Sequence, residues 1–109
     1  MNNITVCITS YNRIALLKQT INSLLELNTF PLEKIIVIED SAKEEMRSAI
    51  LSEFSDKIEL IFNDVNLGQA KSIDKMYKTV KTEYILHVEE DYLFKGNANF
   101  IQNSIDILL

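Results

Sequence analysis

Two rhythms of apolar and polar positions take turns along this chain. Residues 4–9 (I-T-V-C-I-T) form a short apolar, β-branched run that predicts a strand. After the polar turn Ser10-Tyr11-Asn12-Arg13, the apolar residues Leu17, Ile21, Leu24 and Leu25 recur at helical spacing. They predict a helix over 14–27, which Asn28-Thr29-Phe30-Pro31 breaks. Lys34 leads into a second strand, 35–38 (I-I-V-I), which runs into Glu39-Asp40. Ser41-Ala42-Lys43-Glu44 has the form of a capping box, with Ser41 as N-cap and Glu44 reaching back. The helix after it carries Met46, Ile50 and Phe54 on one face. A third strand is predicted over 58–62, followed by a loop at 63–66. Leu67-Gly68 then opens a helix with Ala70, Ile73, Met76, Tyr77 and Val80 on its apolar side. Residues 84–88 (Y-I-L-H-V) form the fourth strand. A turn region at 94–99 precedes a last helix that turns Ile101, Ile105 and Leu108 inward.

Strands that alternate with amphipathic helices predict an α/β class: an open, mostly parallel, Rossmann-like sheet with helices on both faces and right-handed crossovers. All strands then point one way, and Thr9, Asp40, Asn63 and Glu89 share the carboxyl edge. Ligands of open α/β sheets bind at that edge, where strand order reverses. With the order 3-2-1-4, the reversal falls between the first and fourth strands. The acids Glu39, Asp40, Glu89, Glu90 and Asp91 are expected to converge there, with Arg13 and Lys71 as nearby cations. Consecutive carboxylates repel one another unless a cation sits among them. Hard oxygen donors of this kind suit Mg²⁺ or Mn²⁺, with substrate phosphates completing the shell. The plain alternative for Glu89-Glu90-Asp91 is a solvated acidic turn.

Composition narrows the field. The chain has 109 residues, fitting one domain over 1–109. Its net charge of −5 argues against nucleic-acid binding, which needs a basic surface. No apolar run approaches the ~20 residues of a membrane span. The single cysteine, Cys7, sits in a strand pattern and reads as a small hydrophobe. Without a signal-like start, a reducing, cytoplasmic setting is expected. Structural readings stand beside the chemical ones: His87 as a core or sheet-face residue, Tyr11 as a loop aromatic, and Lys71, Lys75 and Lys78 as a solvated helix face.

Four segments then resemble the family 2 glycosyltransferases. Val6-Cys7-Ile8-Thr9-Ser10-Tyr11-Asn12-Arg13 is similar to their opening strand and (T/S)-Y-N-R turn. Ile36-Val37-Ile38-Glu39-Asp40-Ser41 resembles their second strand with its paired acids, and Asn66-Leu67-Gly68 their N-x-G segment. Glu83-Tyr84-Ile85-Leu86-His87-Val88-Glu89-Glu90-Asp91 resembles the strand that runs into their D-x-D motif. The resemblance implies a GT-A fold, a nucleoside-diphosphate sugar donor (a UDP-sugar foremost), a divalent metal, and a saccharide or other acceptor. It implies that Thr9, Tyr11, Asp40, Glu89 and Glu90 bind the nucleotide, with Arg13 and Lys71 as base or phosphate partners. Asp91, with Glu89, would bind the metal. Two departures stand out: Glu89 replaces the first Asp of D-x-D, and Ser72-Ile73-Asp74 stands where the family often has A-R-N. No catalytic base is expected within the chain. By this resemblance it is the N-terminal nucleotide-binding half of a longer enzyme whose base lies beyond Leu109. The competing classes are a non-catalytic α/β interaction domain and a phospho-signalling domain with an acidic pocket. The Thr-Ser-Tyr-Asn end of the first strand counts against the latter.

Overall fold

The computed structural model describes residues 4–27 and 32–89. Within them the order is β1 (Ile4–Ser10), α1 (Ile14–Leu27), β2 (Lys34–Glu39), α2 (Glu44–Phe54), β3 (Glu59–Phe62), α3 (Gln69–Tyr77) and β4 (Tyr84–Glu89). The strands form one parallel sheet in the order β3-β2-β1-β4. The predicted architecture and strand order are both present. The expected turn at 94–99 and the last helix lie outside the described residues, as do Glu90 and Asp91.

β1 is central and buried along its whole length, which explains why it reads as a continuous apolar run. Side chains alternate across a strand, and this sorts the core into two layers. Ile4, Val6, Ile8, Ile35, Val37 and Val88 pack with Leu17, Ile21 and Leu24 of α1 and Met46, Ile50 and Phe54 of α2. Cys7, Ile36 and Ile38 pack on the other face with Met76 of α3. Burial pushes the Cys7 thiol up to about 11, so it stays protonated and serves as packing. Among the described residues no helix is long and apolar enough to cross a membrane.

Three local expectations are corrected. Leu25 is 41% exposed, at the edge of the α1 stripe rather than in it. The stripe of α3 is Ser72 and Met76, with Ala70 exposed and Tyr77 at the surface. Ser72 enters the stripe because its hydroxyl has a buried partner, Asn63. The capping box does not form. The N-cap of α2 is Lys43, which makes no side-chain cap bond, while the Ser41 hydroxyl accepts from the Lys43 N–H. Ala42, at φ 61°, turns the chain before the helix can start. Glu44 instead opens the helix, where a carboxylate meets the positive end of the helix dipole.

Candidate functional site

At the carboxyl edge a pocket of about 300 Å³ opens between the ends of β1 and β4, roofed by the loop before α3. Its lining includes Thr9, Tyr11, Asp40, Gly68, Gln69 and Glu89. This is the position the strand reversal predicts, and the volume is in the range of small-molecule sites.

The loop before α3 is built on Asp40. Oδ1 of Asp40 accepts from the Leu67 N–H at 2.7 Å and from Asn63 Nδ2 at 2.8 Å, and Oδ2 accepts from the Gly68 N–H at 2.9 Å. Asn66 Nδ2 donates to the Asp40 carbonyl at 3.0 Å. Gly68 reaches this position at φ 89°, where an L-residue with a Cβ is strained. Burial works to raise the Asp40 pKa, but the bonds from Leu67, Asn63, Gly68 and Ser72 outweigh it, and the net shift is downward. Asp40 is therefore a carboxylate near neutral pH. A carboxylate offers roughly four acceptor sites. The N–H groups of Leu67 and Gly68, the Asn63 amide and the Ser72 hydroxyl fill most of that capacity.

Glu39 departs from the expectation that it joins the site acids. It is fully buried, and the strand alternation that places Thr9, Ile38 and Glu89 on the pocket face places Ser10 and Glu39 on the other. Oε1 of Glu39 accepts from the Ser10 hydroxyl at 2.6 Å. Oε2 accepts from the N–H of Asn12 at 2.9 Å and of Ser41 at 3.2 Å. Glu39 thus clamps the loop on which Tyr11 stands, half-exposed over the pocket, and helps Asn12 hold its left-handed φ of 53°.

Glu89 does reach the pocket. Oε2 accepts from the Thr9 hydroxyl at 2.6 Å, and Oε1 accepts from Gln69 Nε2 at 3.1 Å, with His87 Nε2 at 3.6 Å. Nδ1 of His87 lies 2.8 Å from the Tyr77 hydroxyl, and the two rings meet edge to face with centroids 5.9 Å apart. Burial, then the neighbouring Cys7 and Glu89, push the Tyr77 phenol up, so it remains protonated. His87 is a sheet-face residue, as expected, and its hydrogen bond goes to Tyr77. Each oxygen of Glu89 keeps free acceptor capacity, so this exposed carboxylate has the hard-donor chemistry that Mg²⁺ or Mn²⁺ takes. Among the described residues no three His, Cys, Asp or Glu side chains cluster around one point.

Of the residues read from sequence, Thr9, Tyr11, Asp40 and Glu89 come together in the pocket. Arg13 and Lys71 are exposed and are not among its lining residues. Gln69, Ser72 and Asn63 were not singled out as site residues, yet they brace the acids. Lys75 is not simply a solvated lysine: its Nζ donates to Asn63 Oδ1 at 2.8 Å.

The sequence model described as Glycosyl transferase family 2 matches residues 5–99. No curated protein matches the chain by sequence. Among solved structures, the mannosyltransferase PcManGT from Pyrobaculum calidifontis, in complex with GDP-Man and Mn²⁺, superposes with a TM-score of 0.76 at 16% identity. That match covers 92% of this chain and 31% of PcManGT. TarS of S. aureus matches with a TM-score of 0.76 at 20% identity, covering 99% of this chain and 19% of TarS. Its 1–349 form in complex with UDP matches equally well, with 32% of that chain covered. The likeness establishes a GT-A, Rossmann-like fold. The chain spans less than a third of the length of these solved structures.

Proposed function

The chain belongs to glycosyl transferase family 2, and from that premise we propose that it binds a nucleoside-diphosphate sugar, a UDP-sugar foremost, for transfer to a saccharide or other acceptor. The observation that carries this reading is Asp40: a carboxylate kept ionised in the wall of the pocket, with its Oδ2 held by the Gly68 N–H. Such a group reads a ring N–H. Uracil and guanine present one on the edge used for pairing, whereas cytosine and adenine present none. Tyr11, exposed beside it, offers a ring on which the base stacks. PcManGT was solved with GDP-Man and TarS with UDP, and both bases carry that N–H.

Thr9 and Glu89 lie across the pocket from Asp40, at the β1–β4 side, and meet the ribose and diphosphate. Mn²⁺ or Mg²⁺ would be held by Glu89 and Asp91, with Glu90 beside them at the ribose. When bound, it supplies Lewis-acid stabilisation of the diphosphate leaving group. The carboxyl-edge residues bind and orient the donor, and Thr9 and Gln69 hold the Glu89 carboxylate in place. Arg13 and Lys71 are second-rank partners of the base or phosphate.

The test is a thermal-shift screen of nucleoside diphosphates, each with and without Mn²⁺. UDP should raise the unfolding midpoint, and raise it further with Mn²⁺. If no nucleoside diphosphate shifts the midpoint under either condition, the reading fails.

A further inference from the structure

Asn63 closes β3 and is 1% exposed, and every polar atom of its side chain is engaged. Nδ2 donates to Asp40 Oδ1 at 2.8 Å and to Ser72 Oγ at 3.0 Å, while Oδ1 accepts from Lys75 Nζ at 2.8 Å. The chemistry allows only this rotation of the amide. An ammonium donates and never accepts, so it must face the amide oxygen. A carboxylate accepts only, so it must face the NH₂. Lys75 lies on the outer side of α3, one turn beyond Ser72, so an exposed cation sets the orientation of a buried amide.

We infer that Lys75 and Asn63 are a positioning pair that sets base selectivity, an inference that rests on the nucleotide reading above. Lys75 fixes the rotation of the Asn63 amide. The amide and the Leu67 N–H together saturate Oδ1 of Asp40. What remains for a ligand is Oδ2, which the Gly68 N–H holds at a defined angle. The pair touches no ligand itself. Without Lys75, Asn63 Oδ1 is left buried with no donor, the amide turns to find one, and Oδ1 of Asp40 loses a partner. The carboxylate then gains freedom to rotate, and its aim at a ring N–H is blurred.

The experiment compares UDP with N3-methyl-UDP, which lacks the ring N–H, by calorimetric titration of the full chain. The proteins are wild type, Lys75→Met, Lys75→Arg and Asn63→Ser, each with its thermal midpoint recorded. Wild type should prefer UDP. Lys75 is an exposed residue of α3 and Met is as good a helix former, so in Lys75→Met the fold is kept, and the preference should fall roughly threefold to tenfold. Affinity for N3-methyl-UDP should stay unchanged, a split that simple loosening of the domain does not produce. Lys75→Arg should restore the preference, and Asn63→Ser should lower it as Lys75→Met does. A wild-type preference that persists in Lys75→Met overturns the pair alone. A wild type that binds both nucleotides equally overturns the base reading, and the pair with it.

Discussion

Glu39 gives the most demanding test of how this edge is held together. Its carboxylate is fully buried, faces away from the pocket and accepts from the Ser10 hydroxyl and from the N–H groups of Asn12 and Ser41. Glu39→Ala removes all three acceptor contacts. The Ser10 hydroxyl is able to rotate toward another acceptor, but the two backbone N–H groups have fixed directions. Leaving the buried Ser41 N–H unsatisfied costs about 1–3 kcal/mol, and the more exposed Asn12 N–H loses a bond to a charged group worth about 1.5–3 kcal/mol, so the pair amounts to roughly 2.5–6 kcal/mol. Domains of this size are stable by only about 5–15 kcal/mol in total. Glu39→Gln is the control. Its amide oxygen still serves both N–H groups, and its NH₂ meets Ser10 Oγ, which then accepts. The loss is the charge assistance, about 1 kcal/mol per bond, partly offset because a neutral amide is easier to bury. The net cost of Gln should therefore be about 1–2 kcal/mol. Urea denaturation of the three proteins reads the difference. At about 4–8 °C per kcal/mol, the Ala variant should melt at least roughly 10 °C below wild type and the Gln variant much closer to it. An Ala variant within about 1 kcal/mol of wild type, or a Gln variant as damaged as Ala, would refute the clamp.

Three further outcomes are expected. The pKa of Asp40 is lowered by folding, so its contribution is complete above the ordinary value of 3.8 and is lost as pH falls through the lower folded value. Asp40→Asn, whose NH₂ must face the Gly68 N–H, should be less stable at neutral pH and show a flatter acid limb in pH-dependent melts. Gly68→Ala meets no atom within 4 Å, so any cost arises from φ +89° alone; about 1–3 kcal/mol is expected by denaturation. Asp91→Asn should leave the melting midpoint equal or higher while abolishing the Mn²⁺-dependent part of UDP binding; equal calorimetric affinities with Mn²⁺ and with chelator in both proteins would show a solvated turn.

The fold was legible because its signals are strongly periodic. The span of α1 and the order β3-β2-β1-β4 agree with the sequence reading. The site was legible in part. Thr9, Tyr11, Asp40 and Glu89 follow from strand ends. Glu39 was misassigned although the means to place it were present: it has the parity of Ile35 and Val37, which face α1 and α2. Counting by two along the strand sends it away from the Thr9–Ile38–Glu89 face. The capping box failed because a four-residue match cannot register that Ala42 turns left-handed. The bracing role of Asn63 and Lys75 was out of reach, since their partners lie on different elements and no periodicity links them.

Adjacent residues of β2 hold two separate loops, and they do so chiefly by gripping main chain: the N–H groups of Asn12 and Ser41 for Glu39, and those of Leu67 and Gly68 for Asp40. A main-chain amide is the same whatever side chain it carries. The scaffold of the pocket is thus nearly independent of the residues that colour its walls. Leu67, which is held by its N–H alone, can vary without redrawing the loops, while positions 39 and 40 cannot. A library built to retarget this pocket should randomise the former and leave the latter untouched. Its surviving members should differ in what they bind far more than in how stably they fold.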